Sequence, residues 1–230
     1  MERNYTKRTG RFLTVARIIA IVGPLMIVIA AATLPPFLAV STPSGRGVLV
    51  VEAWVPQASL EDAVQVFQSG DYQYLVLAGG PMRTYEITSP AVVSYADAAE
   101  LEVKTLNINP EKIIKIPVRP ATHRTFATAV AVQQWLASSQ LSVASVDVFT
   151  AGVHARKSWI LFRYALGDDY RVGVIAGPEH SYDSRRWMFS SRGVRIVSRN
   201  IVGYVYSKAA IFLDAHGWNV LTERSAEQQR

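Results

Sequence analysis

Apolar residues are distributed along this chain in two regimes. Between Ile18 and Val40 they form one block without a charged residue, long enough as a helix to cross a hydrocarbon layer of about 30 Å. Pro24 lies inside the block and Pro35-Pro36 near its end. A ring that removes a backbone donor and crowds the preceding turn predicts a kink near Gly23-Pro24 and a stop near Leu34. The spanning helix is therefore expected over Phe12 to Leu34, within an anchor and exit region over 12–40 that follows a basic flank over 1–11.

The second regime begins after Ser41-Thr42-Pro43-Ser44-Gly45-Arg46-Gly47, a polar stretch of turn formers that reads as a linker over 41–47. Gly47 to Ala53 is a continuous, mostly β-branched run, the pattern of a strand covered on both faces. Ser59 to Gln68 then has helical spacing, with Ser59 as N-cap and Gly70 as stop. The alternation repeats. Strands are expected at Tyr74 to Ala78, Ile113 to Val118, Val146 to Thr150 and Arg171 to Ala176, and helices at Ala91 to Leu106, Arg124 to Ala137 and His154 to Leu166. Short buried strands alternating with longer helices predict an α/β fold over 48–216, a Rossmann-like three-layer sandwich with a mainly parallel sheet, preceded by one N-terminal transmembrane helix. From Trp187 to Leu213 the mixture of aromatic, aliphatic and Arg residues does not separate a strand from a helix. Residues 217–230 read as a polar tail that frays after Trp218.

Charge sharpens the topology. The formal net charge is +6, but Arg3, Lys7, Arg8, Arg11 and Arg17 precede the apolar block with only Glu2 against them. A basic flank of this kind is retained in the cytoplasm, so the expected arrangement is a single pass of the cytoplasmic membrane, N-terminus inside and domain on the extracytoplasmic side. A cleaved signal peptide, with small residues at Ala30-Ala31-Ala32 and Leu38-Ala39-Val40, is the competing reading. The remainder is close to charge balance and holds no Lys/Arg block, so nucleic acid is not an expected partner. With no cysteine in the chain, thiolate chemistry, disulfides and Cys-ligated zinc drop out.

Ligands of open parallel sheets bind beyond the carboxyl ends of the strands, and polar or flexible residues follow each expected strand. Glu52-Ala53-Trp54 follows the first, Gly79-Gly80-Pro81 the second, Arg119 and His123-Arg124-Thr125 the third, and Ala151-Gly152-Val153-His154-Ala155-Arg156 the fourth. Gly79 and Gly80 would admit a ligand close to the backbone. Arg124 and Arg156 offer forked contacts to phosphate or carboxylate, or else pair with Asp97 or Glu52. His154 could serve as general acid or base, or simply cap and pack. The candidate catalytic residues are His154 and Asp97; the candidate ligand-binding residues are Glu52, Gly79, Gly80, Arg124, Thr125 and Arg156. No Walker, GxGxxG, GxSxG or HExxH pattern occurs. A zinc site from His123, His154 and an acid lacks two ligands at binding spacing on one helix, so no metal is expected and the residues specify no cofactor. His180, Asp183 and Arg185-Arg186 border the same edge after the fifth strand.

These residues resemble those of the membrane-anchored bacterial YdcF/SanA/ElyC-like proteins over roughly Val48 to Ala176. The resemblance lies in the apolar first strand, the strand ending in Gly79-Gly80, the acidic residue of Ser94-Tyr95-Ala96-Asp97, the Arg124-Thr125-Phe126-Ala127-Thr128-Ala129 segment and, most specifically, Thr150-Ala151-Gly152-Val153-His154-Ala155-Arg156. Glu52-Ala53-Trp54 stands where the family has a Gly-rich strand end, and Thr128 where it commonly has Asn. The resemblance implies a Rossmann-like domain in the cell envelope, associated with peptidoglycan-related processes and barrier integrity, and implies no particular reaction. Two functions follow as expectations. One is an anchored protein of envelope biogenesis that binds an anionic small molecule or lipid-linked ligand; the other is a non-catalytic scaffold that binds a membrane protein partner, with Arg185 to Arg199 turned to anionic lipid or another subunit.

Overall fold

The computed structural model of the chain describes residues 2–87 and 89–221. Five strands form one sheet, β1 (Arg46–Glu52), β2 (Asp71–Gly79), β3 (Ile113–Pro117), β4 (Ser145–Ala151) and β5 (Arg171–Gly177), in the order β3-β2-β1-β4-β5 with every neighbouring pair parallel. The expected strands all form, within a few residues of their predicted ends.

Strand alternation builds two cores. Leu49, Val51, Leu75, Leu77 and Phe149 point to one face, where α2 (Gln57–Ser69) and α3 (Tyr95–Val103) cover them with Leu60, Ala63, Phe67, Ala99 and Val103. Val48, Val50, Val76, Val146 and Val148 point to the other, under α4 (Arg124–Ser138) and α5 (Ala155–Leu166) through Ala129, Val132, Phe162 and Leu166. The α/β three-layer arrangement is thus as the alternation predicts, because strands covered on both faces leave no polar side to read.

Three helices depart from expectation. The first, α1 (Glu2–Leu38), runs on through Pro24, Pro35 and Pro36 instead of ending near Leu34. Its last turn is packed against the domain, with Pro35 buried and Leu38 fully buried beside Val153, Trp187 and Val197, and this packing outweighs the lost proline donors. Over Arg17–Leu38 it is long and apolar enough to cross a membrane, with mean hydropathy 2.4. The helix α2 begins at Gln57 behind Pro56, so Ser59 is interior and buried rather than a cap. The ambiguous stretch holds no strand: a 3-10 segment, Ser184–Phe189, leads into one long helix, α6 (Ser191–Ala215). The expected frayed tail is ordered through Leu221, whose backbone N–H donates to Asp214 and whose side chain packs with Phe126, Leu161 and Ala210; the rest of that tail, 222–230, lies outside the described residues.

The segment expected as a linker is a fixed strap. It leaves α1 at the carboxyl edge of the sheet and descends along β5: the Ser41 hydroxyl accepts from the Ala176 N–H and the Thr42 N–H donates to the Val174 carbonyl. At the bottom, the fully buried Asp147 accepts from Ser44 N and Oγ, Gly45 N and the Tyr72 hydroxyl, at 2.8–2.9 Å. Space for this carboxylate exists because residue 173 is glycine; a Cβ there would fall 2.0 Å from Asp147 Oδ1. Replacing Asp147 with Ala strands these donors, and is expected to lower the stability of the detergent-solubilised chain by about 3 kcal/mol, with Gly173→Ala acting in the same direction. Thermal unfolding checks this; a variant melting with the parent would show that the strap is not held by Asp147.

Candidate functional site at the switch point of the sheet

Strand order reverses between β1 and β4, because α2 leaves β1 toward one side of the sheet and the crossover through α4 returns the chain to the other. Crevices in open α/β sheets form at such a point. Glu52, the last residue of β1, is 1% exposed there and accepts a 2.5 Å hydrogen bond from the buried Ser158 hydroxyl of α5. After β4 a 3-10 turn, Gly152–His154, delivers His154 beside it, with Nε2 3.8 Å from Glu52 Oε2. Trp54 covers the imidazole edge-on, ring centroids 4.7 Å apart.

The tautomer of His154 follows from its partners. Nδ1 lies 2.8 Å from Asn200 Oδ1, and the Asn200 amide nitrogen donates to the Ile196 carbonyl at 2.9 Å. Reversing that amide would set oxygen against oxygen, so Oδ1 faces His154 and Nδ1 carries the hydrogen. Nε2 is left with its lone pair, 3.4 Å from the Thr125 hydroxyl at the start of α4. Burial holds the imidazole near a pKa of about 4; Glu52 and the Asn200 bond oppose the shift, and Lys157 and Arg199 add to it. His154 is therefore a neutral base, with a carboxylate placed to stabilise the imidazolium formed when it takes a proton.

Cations gather around this base. Lys157 lies close enough to Glu52, Arg199 and Arg124 to feel all three. Burial first pushes its ammonium below the ordinary lysine range, Glu52 resists, and the two arginines push further. Its stem passes Gly203 of α6, where a Cβ would stand 3.3 Å from Lys157 Cδ. Among the described residues no carboxylate lies within salt-bridge distance of Arg124, Lys157 or Arg199.

Several expected site residues are engaged elsewhere. Asp97 completes the N-terminal capping box of α3: its carboxylate accepts from Ser94 N and Oγ and bridges Lys115 Nζ at 3.0 Å. Arg156 is turned to the end of α1, its guanidinium 4.1 Å from the Phe37 ring centroid and its Nε donating to the Phe37 carbonyl. Gly79 is a packing glycine, since a Cβ there would meet the Ala53 and Tyr95 side chains at 3.0 Å. At Gly80 a Cβ would meet only the Val118 carbonyl, at 3.8 Å, and the Gly80 carbonyl accepts from Tyr95 N–H. His123 stacks on Tyr206; among the described residues no three potential metal ligands cluster.

The structure thus joins Glu52, Thr125 and His154 and sets Arg124 among the nearby charges. Sequence reasoning missed Lys157, Ser158, Arg199 and Asn200. Ser158 could have been found, four residues after His154 and so on the same helical face; Asn200 and Arg199 come from α6 and carried no signal. Beside this site, the end of α1 and the carboxyl ends of β4 and β5 enclose a cleft of about 530 Å³, lined by Pro35, Pro36, Gly152, Gly177, Glu179 and Arg185 among others.

A histidine that stays neutral in the fold down to a pH of about 4, but protonates near 6.5 when unfolded, leaves the unfolded state with more bound protons between those values. Stability from this group is therefore full above pH ~6.5 and is lost as pH falls toward ~4, by up to about 3 kcal/mol. Melting temperature against pH is expected to show this decline in the parent and a flatter profile in His154→Gln; parallel profiles would place the titration elsewhere.

Compared with known protein families, with curated proteins and with solved structures, the chain finds no match in any of the three.

Proposed function

We propose that this is a single-pass protein of the cytoplasmic membrane, N-terminus inside and domain outside, which acts in cell-envelope biogenesis or integrity, related to peptidoglycan or its lipid carriers, by binding an anionic small molecule at the carboxyl ends of the strands. One observation carries the binding reading: the ammonium of Lys157, beside the buried His154–Glu52 pair, has the exposed Arg124 and Arg199 near it and Glu52 as its opposing charge, so positive charge is in excess there. An excess of positive charge beside a buried neutral base is a setting that an anion would complete. The basic flank before α1 supports the orientation, and the burial of Leu38 in the domain supports an uncleaved anchor. The envelope setting rests on the resemblance to the YdcF/SanA/ElyC-like proteins.

The chemistry available is acid–base. His154 Nε2 can take a proton from a water or ligand hydroxyl near Thr125, with Asn200 fixing the ring and Glu52 balancing the new charge. The anion held by Arg124, Lys157 and Arg199 would set the reacting group against Nε2.

A second reading, the non-catalytic scaffold, draws on Arg156, which is committed to Phe37 instead of the crevice. Thermal unfolding of the detergent-solubilised full chain with inorganic phosphate and pyrophosphate separates the two. An anion at a hundred times its dissociation constant adds about 2.7 kcal/mol to the folded state, and so raises the melting temperature by several degrees. Lys157→Met keeps the apolar stem and removes the buried charge; it is expected to raise the melting temperature of the free protein and, like Arg124→Gln, to abolish the anion-induced rise. No anion effect in the parent would overturn the binding reading and leave the scaffold.

A further inference from the structure

An uncovered apolar surface surrounds the point where α1 meets the domain. Phe189, at the tip of the 3-10 segment Ser184–Phe189, is 92% exposed. On α6, Val194, Ile201, Val205 and Phe212 recur at helical spacing and share one stripe. Ile201 packs into the cluster that holds Leu34 and Leu38 of α1, so the stripe starts at the anchor, yet Val205 and Phe212 on either side of Lys208 are 59% and 62% exposed. Phe37, itself partly exposed, meets Tyr204 edge-on and ties this stripe to the last turn of α1. Charge on the same stretch is one-sided: Arg185, Arg186, Arg192 and Arg195 face only Asp183 between residues 183 and 198.

We infer that this surface, formed by Ser184–Phe189 and the outer stripe of α6, rests on the bilayer that α1 crosses, with Phe189, Val205 and Phe212 in the acyl boundary and Arg185, Arg186 and Arg192 on anionic headgroups. The inference rests on α1 as a membrane span and is independent of the anion site. A bilayer is the occupant that the continuity selects. The stripe begins against a helix apolar enough to span, and exposed Phe with flanking Arg is the composition of helices that lie in the interface plane. Lys208, inside the stripe, can extend its ammonium to the headgroups while its stem stays in the apolar layer. Two consequences follow: α6 lies along the membrane surface, and the crevice around His154, which α6 helps to build, stands at headgroup level.

The chain has no cysteine, so single spin labels can be placed without background. Phe189→Cys, Val205→Cys and Phe212→Cys, with Met26→Cys in the span and Glu111→Cys in the 3-10 turn Pro110–Lys112 as references, are introduced into the full chain. The chain is reconstituted in vesicles of phosphatidylcholine and phosphatidylglycerol. Collision with oxygen, which concentrates in lipid, is compared with collision with a water-soluble nickel chelate. Labels at 189, 205 and 212 are expected to favour oxygen severalfold over the label at 111, and the preference at 189 to fall when Arg185, Arg186 and Arg192 are changed to Gln. Nickel access at all three equal to that at 111, with 26 shielded, overturns the bilayer contact alone; nickel access at 26 overturns the span beneath it. Shielding of 189, 205 and 212 from both reagents, with dipolar broadening between copies, would assign the surface to a second copy of the chain and overturn the inference.

Discussion

The geometry of the whole molecule depends on the strap between α1 and β1. A parallel sheet is entered at the amino end of each strand, yet α1 finishes at the carboxyl end, so the chain must cross the full height of the sheet before β1 can begin. It crosses as bonded backbone, held to β5 by Ser41 and Thr42 and to the floor of the domain by Asp147. Burying a carboxylate costs several kcal/mol unless its lone pairs are filled. Four donors fill them, three from the strap (the Ser44 and Gly45 N–H groups and the Ser44 hydroxyl) and one from Tyr72. With the strap fixed, the direction of α1 relative to the sheet is fixed, and the edge that carries His154 is the edge that meets the end of α1.

Asp147 and the cluster around His154 solve opposite problems with the same physics. At Asp147 a charge is buried and completed by the protein itself, and the result is rigidity. At the switch point Glu52 is buried with the Ser158 hydroxyl and the imidazole for company, while Lys157 sits among cations that lower its hold on a proton. Such an arrangement destabilises the free fold, and its persistence makes sense if a group outside the chain completes it. Trp54, itself part-exposed, lies edge-on over the imidazole, and positive charge beside a neutral base is the imbalance on which the proposed anion site rests.

The strands were legible because an unbroken apolar run of five to seven residues between turn formers is too short for a buried helix and too apolar for a loop. Their order was not, since nothing in a strand's own residues says which neighbour it takes. The site was half legible. Glu52, Thr125 and His154 follow strands and could be placed by the rule for parallel sheets. Asp97 was misread because Ser94-x-x-Asp97 is also a capping box, a local use that outranked a distant one. Arg156 and its neighbour Lys157 differ by one helical step of about 100°, and the phase of α5, set by Phe162 and Leu166 in the core, turns Lys157 toward the crevice and Arg156 toward Phe37. The phase of α6 was hidden for another reason. Its exposed positions mix Val194, Val202, Val205 and Phe212 with Arg192, Arg195, Arg199 and Lys208, and this mixture of apolar and charged residues did not separate a strand from a helix; with the helix unrecognised, Asn200 and Arg199 were out of reach.

Helix α6 connects the end of α1 to the site around His154. On α6, Val197 and Ile201 pack with Leu38 of α1, Asn200 between them reaches back to His154, and Arg199 contributes charge to it. The imidazole keeps its Nε2 lone pair only while Asn200 Oδ1 stays within hydrogen-bonding distance of Nδ1, and Asn200 is placed by a helix whose neighbouring positions are clamped to the end of the membrane-compatible helix. Val197 meets Val153 and Trp187 of the domain in the same cluster, so the turn that carries Asn200 is held from the domain side and from α1 together. The imidazole that keeps its Nε2 lone pair is therefore positioned by a helix that packs on the domain on one face and on the end of α1 on the other. Removing α1 takes away one of the two supports of the turn that carries Asn200.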